Sequence, residues 1–309
     1  MDENTLIEII KSGLNAANSS LSAVVGAVIT TLFLSKNTKI SEFEKVKAGK
    51  FNEVIDCLLE SGKMSYLEYY KCNNFLDIAK KADSLLAHTI ISGQKEQCHC
   101  GEYDFDWFIR FFDAASNISN EEMKRLWASV LAGEVYQSGS FSLRTIDTLY
   151  NMTPYEAELF STVSKIIIDN SKVFSSMGKV GQQINEKYQF DNDALRLLEE
   201  CGVLNGLRMD SQLELLPGES GGFTCGNNLL LFQPAREEKI VIDYTCYTLT
   251  MVGLQLYPVV YSGADDTYLV ELGKAIQENF PSLKVSLHPM TGEDDDCISY
   301  DAQIDLLNK

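Results

Sequence analysis

Catalytic vocabulary is what this sequence lacks. It holds no Walker-type phosphate loop, no dinucleotide-binding glycine pattern after a strand, no His-Glu-x-x-His pair and no Gly-x-Ser-x-Gly elbow. Histidine is scarce, with only His88, His99 and His288 in unrelated segments, so a nucleophile that depends on imidazole has no base in a recognisable context. Carboxylate pairs such as Glu121-Glu122 and Glu199-Glu200 read as solvated helix faces. No catalytic residue is assigned, no cofactor is expected, and the chain is read as a non-enzyme. Positive charge is short as well: 26 Lys+Arg stand against 44 Asp+Glu, a net charge of −18. The deficit is uneven, because residues 1–97 carry −1 and the remainder −17. Binding a long nucleic acid requires phosphate neutralisation and counterion release, so an acidic body argues against it.

The eight cysteines sit mostly in apolar segments. Asp2, Glu3 and Glu8 give the N-terminus the wrong charge for a secretory signal. Free, partly buried thiols in a reducing cytoplasm follow as the expectation. Cys98-His99-Cys100 places three soft ligands in three residues, but structural zinc sites pair their ligands at wider spacing and need a second pair, which is missing. A chance surface cluster is the favoured reading there, with a metal site as the weaker one.

A chain of 309 residues suggests two or three structural units. The first expected unit is a helical N-terminal arm, 1–97. Its uncharged run from Leu21 to Leu34 is shorter than the ~20 residues that span a bilayer. Leu21, Val24, Val25, Val28, Ile29, Leu32 and Phe33 therefore read as a buried or oligomer-forming helix. The competing reading is membrane contact through residues 5–34, because Lys36, Lys39, Lys45, Lys47 and Lys50 follow and suit an anionic surface. Next come two helices split at Ser61-Gly62, the second opened by a Ser65–Glu68 capping box, with Leu67, Tyr70, Asn74, Ile78, Ala82 and Leu85 on one face.

A central helical module is expected over 98–160. Asp106 is positioned to cap a helix with Trp107, Phe108, Phe111, Phe112 and Ala115 at helical spacing. Ser119 with Glu122 opens a second helix through Met123, Trp127, Val130 and Leu131, and Pro154 suits the first turn of a third. Glu134 ends an otherwise apolar face, where an unpaired carboxylate is costly. Arg144 is its expected partner and Ser140 and Ser142 the expected caps, so Trp127, Glu134, Ser140, Ser142 and Arg144 form the candidate set: an internal brace, or alternatively a polar pocket.

Residues 161–309 are expected to form an α+β region. A helix ends at Cys201-Gly202, strands follow between glycine turns, and a further helix opens at Met251. This order, with Tyr247, Leu249, Thr250 and Gly253 in a Y-x-L-T-x-x-G closure, resembles a winged helix. That fold binds DNA in some proteins and docks proteins in others. Here the helix before Cys201 has Arg196 against Asp191, Asp193, Glu199 and Glu200, which favours protein docking over a DNA-binding regulator. The fold expected is thus mainly α with a smaller α+β part: arm, central module, winged-helix-like region.

The stretch Trp127-Ala128-Ser129-Val130-Leu131-Ala132-Gly133-Glu134, with Gly139-Ser140-Phe141-Ser142-Leu143-Arg144-Thr145 and the Thr153-to-Phe160 helix opening, resembles an uncharacterised bacterial family classed as a domain of unknown function. Ser138 stands where that pattern often has proline. Such families are often found beside mobile elements and phage-defence genes. The resemblance implies an antiviral, abortive-infection role through a phage or host protein partner and homo-oligomerisation. The expected setting is the cytoplasm, with membrane association as the alternative. It transfers no catalytic residue.

Overall fold

A 26-residue helix is the spine of the N-terminal half. The computed structural model describes residues 20–35, 49–91, 104–177, 179–188, 190–294 and 297–301. Its contacts divide the chain into two compact units, Met1–Pro154 and Tyr155–Lys309. In the first, helices α1 (Ser20–Ser35), α2 (Gly49–Glu60), α3 (Tyr66–Ile91), α4 (Phe105–Ala115), α5 (Glu121–Tyr136) and α6 (Leu143–Asn151) follow one another. The three-part division expected from sequence differs from this. Its 97/98 boundary falls outside the described residues, and arm and central module share one unit because α3 packs on α1 and α2 as well as on α4 and α5.

The Ser65–Glu68 capping box opens α3: Ser65 N–H donates to Glu68 Oε2 at 2.8 Å, and Glu68 N–H to Ser65 Oγ at 3.3 Å. Along α3 the buried stripe is Cys72, Asn74, Phe75, Leu76, Ile78, Ala79 and Ala82. Leu67, Tyr70 and Leu85, expected on that face, are exposed. Asn74 donates to the Ser116 carbonyl at 3.0 Å, fixing α3 against the end of α4. The core is aromatic: Trp107 stacks on Phe111 at 5.1 Å, Phe111 meets Trp127 edge-on at 5.1 Å, and Phe112 meets Phe75 edge-on at 5.1 Å. Each such pair adds roughly 0.5–1.5 kcal/mol beyond area burial. At the α3–α5 contact, Lys124 bonds Asp77 and Glu121, each at 3.1 Å, and Lys81 bonds Asp77. Two caps differ from the sequence expectation by one or two positions. Asp104 rather than Asp106 caps α4, and Asn120 rather than Ser119 caps α5, each accepting two backbone N–H groups.

Val24, Val25, Val28, Ile29 and Leu32 of α1 are all buried within this unit. Among the described residues no helix is long and apolar enough to cross a membrane. Contact of these five side chains with a bilayer or a second copy would require α1 to leave its packing; the side chains of Leu21 and Phe33 lie outside the described residues.

The second unit mixes helix and sheet. It runs α7 (Pro154–Ser164), β1 (Ile167–Ile168), β2 (Lys172–Ser176), α8 (Gln182–Lys187), α9 (Asn192–Glu200), β3 (Met209–Leu215), β4 (Gly221–Cys225), β5 (Asn228–Pro234), β6 (Ile240–Thr248), α10 (Met251–Val260), α11 (Asp266–Asn279), β7 (Leu283–Asp294) and β8 (Cys297–Tyr300). The segment Ser171–Lys179 reads as a polar break in sequence, yet it supplies β2, because Val173 and Phe174 are fully buried. Asp169 and Asn170 both take positive φ, the turn that matches strand twist in a tight hairpin, and join β1 to β2. Two antiparallel sheets result, β1-β2-β6-β3 and β4-β5-β7-β8. Phe223 sits between them, meeting Tyr244 at 5.0 Å, Phe232 at 5.2 Å and Phe174 at 6.2 Å. Asp169 also stitches them together: its N–H donates to the Thr224 carbonyl at 2.8 Å, and its carboxylate accepts from Thr224 N–H at 3.1 Å.

Candidate functional site

The sequence singled out Glu134, and its environment is the most constrained in the first unit. Glu134 sits in the last turn of α5, 2 % exposed. Its Oε1 accepts the Gly139 N–H at 2.6 Å and its Oε2 the Phe141 N–H at 3.0 Å. Ser140 N–H contributes a further backbone contact. Gly139 has φ +85°, the left-handed conformation that turns these N–H groups inward. Phe141 is gripped from its other side as well, since Trp107 Nε1 donates to its carbonyl at 2.7 Å. A methyl group on Gly133 would come within 2.7 Å of the Phe141 ring, so that ring lies directly over α5. Ser142 caps α6 by accepting the Thr145 N–H at 3.3 Å, and Ser140 Oγ donates to the Gln137 carbonyl at 2.7 Å.

Of the two expected caps, Ser142 caps α6, whereas Ser140 bonds back to the end of α5 instead, and Arg144 does not reach Glu134. Trp127 is fully buried against Phe111, and Ser140 and Ser142 bond the local backbone. Arg144 is exposed, and among the described residues no ion pair joins it to Glu134. The carboxylate is satisfied by backbone donors of the turn instead, which sequence spacing could not distinguish from a guanidinium. Burial raises the Glu134 carboxyl above the ordinary range, and the N–H groups of Gly139, Phe141 and Ser140 only partly counter it. With every oxygen committed to backbone, this cluster is a clasp closing the α5–α6 turn rather than an open pocket.

Open grooves lie in the second unit, which carries 11 Lys+Arg against 24 Asp+Glu, a net of −13. A groove of about 640 Å³ between α7 and α9 is lined by Tyr155, Asp193, Arg196, Leu197 and Glu200 among others. Asp191 caps α9 by accepting from the N–H groups of Asp193 and Ala194. On the far side of α9, a cavity of about 380 Å³ holds Asn185, Phe190, Arg208 and Tyr247. A third groove, about 680 Å³, runs over β6 and β3 past Asp210, Gln212, Asp243 and Thr245.

A serine–histidine pair that sequence reading passed over lies on β7. His288 Nε2 is 2.9 Å from Ser286 Oγ, and Nδ1 is 2.9 Å from the Asp301 carbonyl oxygen. That carbonyl can only accept, so Nδ1 carries the proton and Nε2 accepts from the hydroxyl. The alternation of β7 puts positions 286 and 288 on one face, the only signal that sequence offers for the pair. Ser286 is 2 % exposed, however, and the arrangement serves to satisfy buried polar groups. Among the described residues no group of three His, Cys, Asp or Glu is placed to hold a metal ion; Cys98, His99 and Cys100 lie outside them.

Fold and site together define a two-unit protein, helical in its first half and mixed in its second, with a closed clasp at its motif and acidic grooves on its sheet-bearing part. The chain belongs to a family described as proteins of unknown function (DUF2806), whose model matches residues 80–273, from within α3 to within α11. No curated protein and no solved structure matches it.

Proposed function

We propose that this chain is a non-enzymatic phage-defence protein that acts by binding a protein partner, with its second unit serving as a winged-helix-like docking module. The element order supports the module: α7, β2, the pair α8–α9, then β3 and β6, with β6 hydrogen-bonded between β2 and β3. Thr250 Oγ1 donates to the Gly202 carbonyl at 2.6 Å, and an added Cβ at Gly253 would overlap the Val203 carbonyl oxygen, so the Leu-Thr-x-x-Gly closure is held against the end of α9.

The observation that carries the docking reading is the charge of α9, in the position that reads DNA in nucleic-acid-binding members of such folds. Arg196 is its one cation, beside Asp193, Glu199, Glu200 and the capping Asp191. A duplex presents a negative charge about every 1.7 Å of axis, which this face repels. The defence setting follows from the family resemblance. Cells expressing the chain alone and challenged with phage should be protected, and the pair Asp193→Asn and Glu200→Lys, both exposed, should remove protection. Undiminished protection by that variant, or a wild-type gel shift with duplex DNA at low salt, would overturn the proposal.

A further inference from the structure

The first sheet of the second unit ends in an unpaired strand. β3 is hydrogen-bonded to β6 over its whole length, from Met209↔Cys246 to Leu215↔Ile240. It is the last strand of its sheet, and among the described residues no strand is hydrogen-bonded to its other edge, although Gly221 of β4 packs against the side chains of Leu213 and Leu215. Alternate residues along this seven-residue strand turn their N–H and C=O groups away from β6 and form a template for one more strand, and native sheets seldom leave such an edge long without a reason.

The side chains along β3 say what that strand must be. Asp210, Gln212 and Glu214 project to one face, and Met209, Ser211, Leu213 and Leu215 to the other. On the polar face Asp243 of β6 stands opposite Gln212 and accepts its amide at 2.9 Å, Glu214 is paired with Lys239 at 2.6 Å, and among the described residues no ion pair engages Asp210. On the other face Met209 is 49 % exposed. An incoming strand that alternates basic and apolar residues meets charge with charge on one face and buries Met209 on the other. A second copy of β3 fits badly. Antiparallel self-pairing over the full strand is centred on Gln212, and it sets Asp210 against Glu214 twice, like charge against like.

We infer that the free edge of β3 is a β-augmentation site for an extended partner segment that alternates basic and apolar residues. The inference rests on the docking reading above and specifies its surface. Main-chain bonds supply the affinity there and the alternating side chains the choice of partner.

The test uses the full chain and two heptapeptides, one alternating Lys and Val, the other Glu and Val. The basic peptide should bind and slow amide exchange across 209–215, and the acidic one should not. Reversal at Asp210→Lys with Asp243→Lys should weaken the basic peptide about tenfold and admit the acidic one. The milder Asp210→Asn should weaken the basic peptide about threefold. The inference is overturned by binding without protection in β3, by no binding of the basic peptide, or by unchanged affinity in Asp210→Asn. It is equally overturned if β3 becomes protected by self-association without peptide. The α9 variant distinguishes the two levels: protection that depends on α9 but survives reversal at β3 removes this surface and leaves partner docking intact.

Discussion

Replacing Glu134 by glutamine tests the clasp at its centre. The amide keeps one acceptor oxygen and turns an NH2 toward a backbone N–H, so one of the bonds to Gly139 or Phe141 is lost. A hydrogen bond to a charged group is worth roughly 1.5–3 kcal/mol. Relief of the desolvation that raises the Glu134 carboxyl offsets part of that. The net expected loss near neutral pH is about 1–2 kcal/mol, or about 5 °C for a unit of this size. Glu134→Ala, which leaves both N–H groups buried without acceptors and opens a void, should cost about 3 kcal/mol or more. Urea denaturation followed by tryptophan fluorescence is the assay, since Trp107 and Trp127 both belong to the first unit and report on it alone. The pH dependence carries the sign. A carboxyl whose folded pKa is raised binds its proton more tightly when folded, so wild type loses stability as pH climbs from the ordinary value of 4.5 through the folded one. Glutamine cannot titrate, so the gap between wild type and Glu134→Gln should narrow over that rise and then stay constant. A gap that widens would mean that the backbone donors outweigh burial, and would refute this account.

Other substitutions probe the same ledger elsewhere. Trp107→Phe keeps a ring against Phe111 but orphans the buried Phe141 carbonyl, and should lower stability by about 2 kcal/mol in the same assay. Tyr268→Phe should do the opposite: this side chain is fully buried and among the described residues its hydroxyl has no hydrogen-bond partner, so removing the oxygen should leave stability unchanged or raise it by about 1 kcal/mol, read as the melting midpoint by circular dichroism. Gly253→Ala would drive a methyl group into the Val203 carbonyl and should destabilise the second unit by about 3 kcal/mol or more, seen as faster amide exchange in β3 and β6 while α3 is unaffected.

Local signals carried much of the fold. Ser65 with Glu68, Pro154 at the start of α7 and Gly202 after α9 each mark an element through one backbone requirement, and each is legible within a few residues. The failures share a cause: they depend on what lies across space. Ser171–Lys179 is polar enough to pass for a loop until β6 and the second sheet cover Val173 and Phe174. Leu67, Tyr70 and Leu85 keep helical spacing on α3, but its neighbours reach only the middle of that stripe. Glu134 was identifiable as a buried carboxylate needing donors, and only the left-handed Gly139 reveals that the donors are backbone. The Ser286–His288 pair needed the strand register of β7 and the return of the chain at Asp301.

The clasp bears on how the stretch from Trp127 to Thr145 should be interpreted. Glu134, Gly139 and Phe141 are each used in closing one turn, with Glu134 holding the backbone N–H groups and Trp107 holding the Phe141 carbonyl from the other side. A cluster built this way fixes a helical hairpin, and a shared architecture does not by itself specify a partner. Under the docking proposal, the choice of partner is then written where side chains are exposed. In this chain the second unit offers such a place at the edge of β3 that pairs with no strand among the described residues, with Asp210 and Asp243 beside it. Exchanging exposed residues of β3 should alter which segment binds without altering the melt of the first unit, whereas changes at Glu134 should do the reverse.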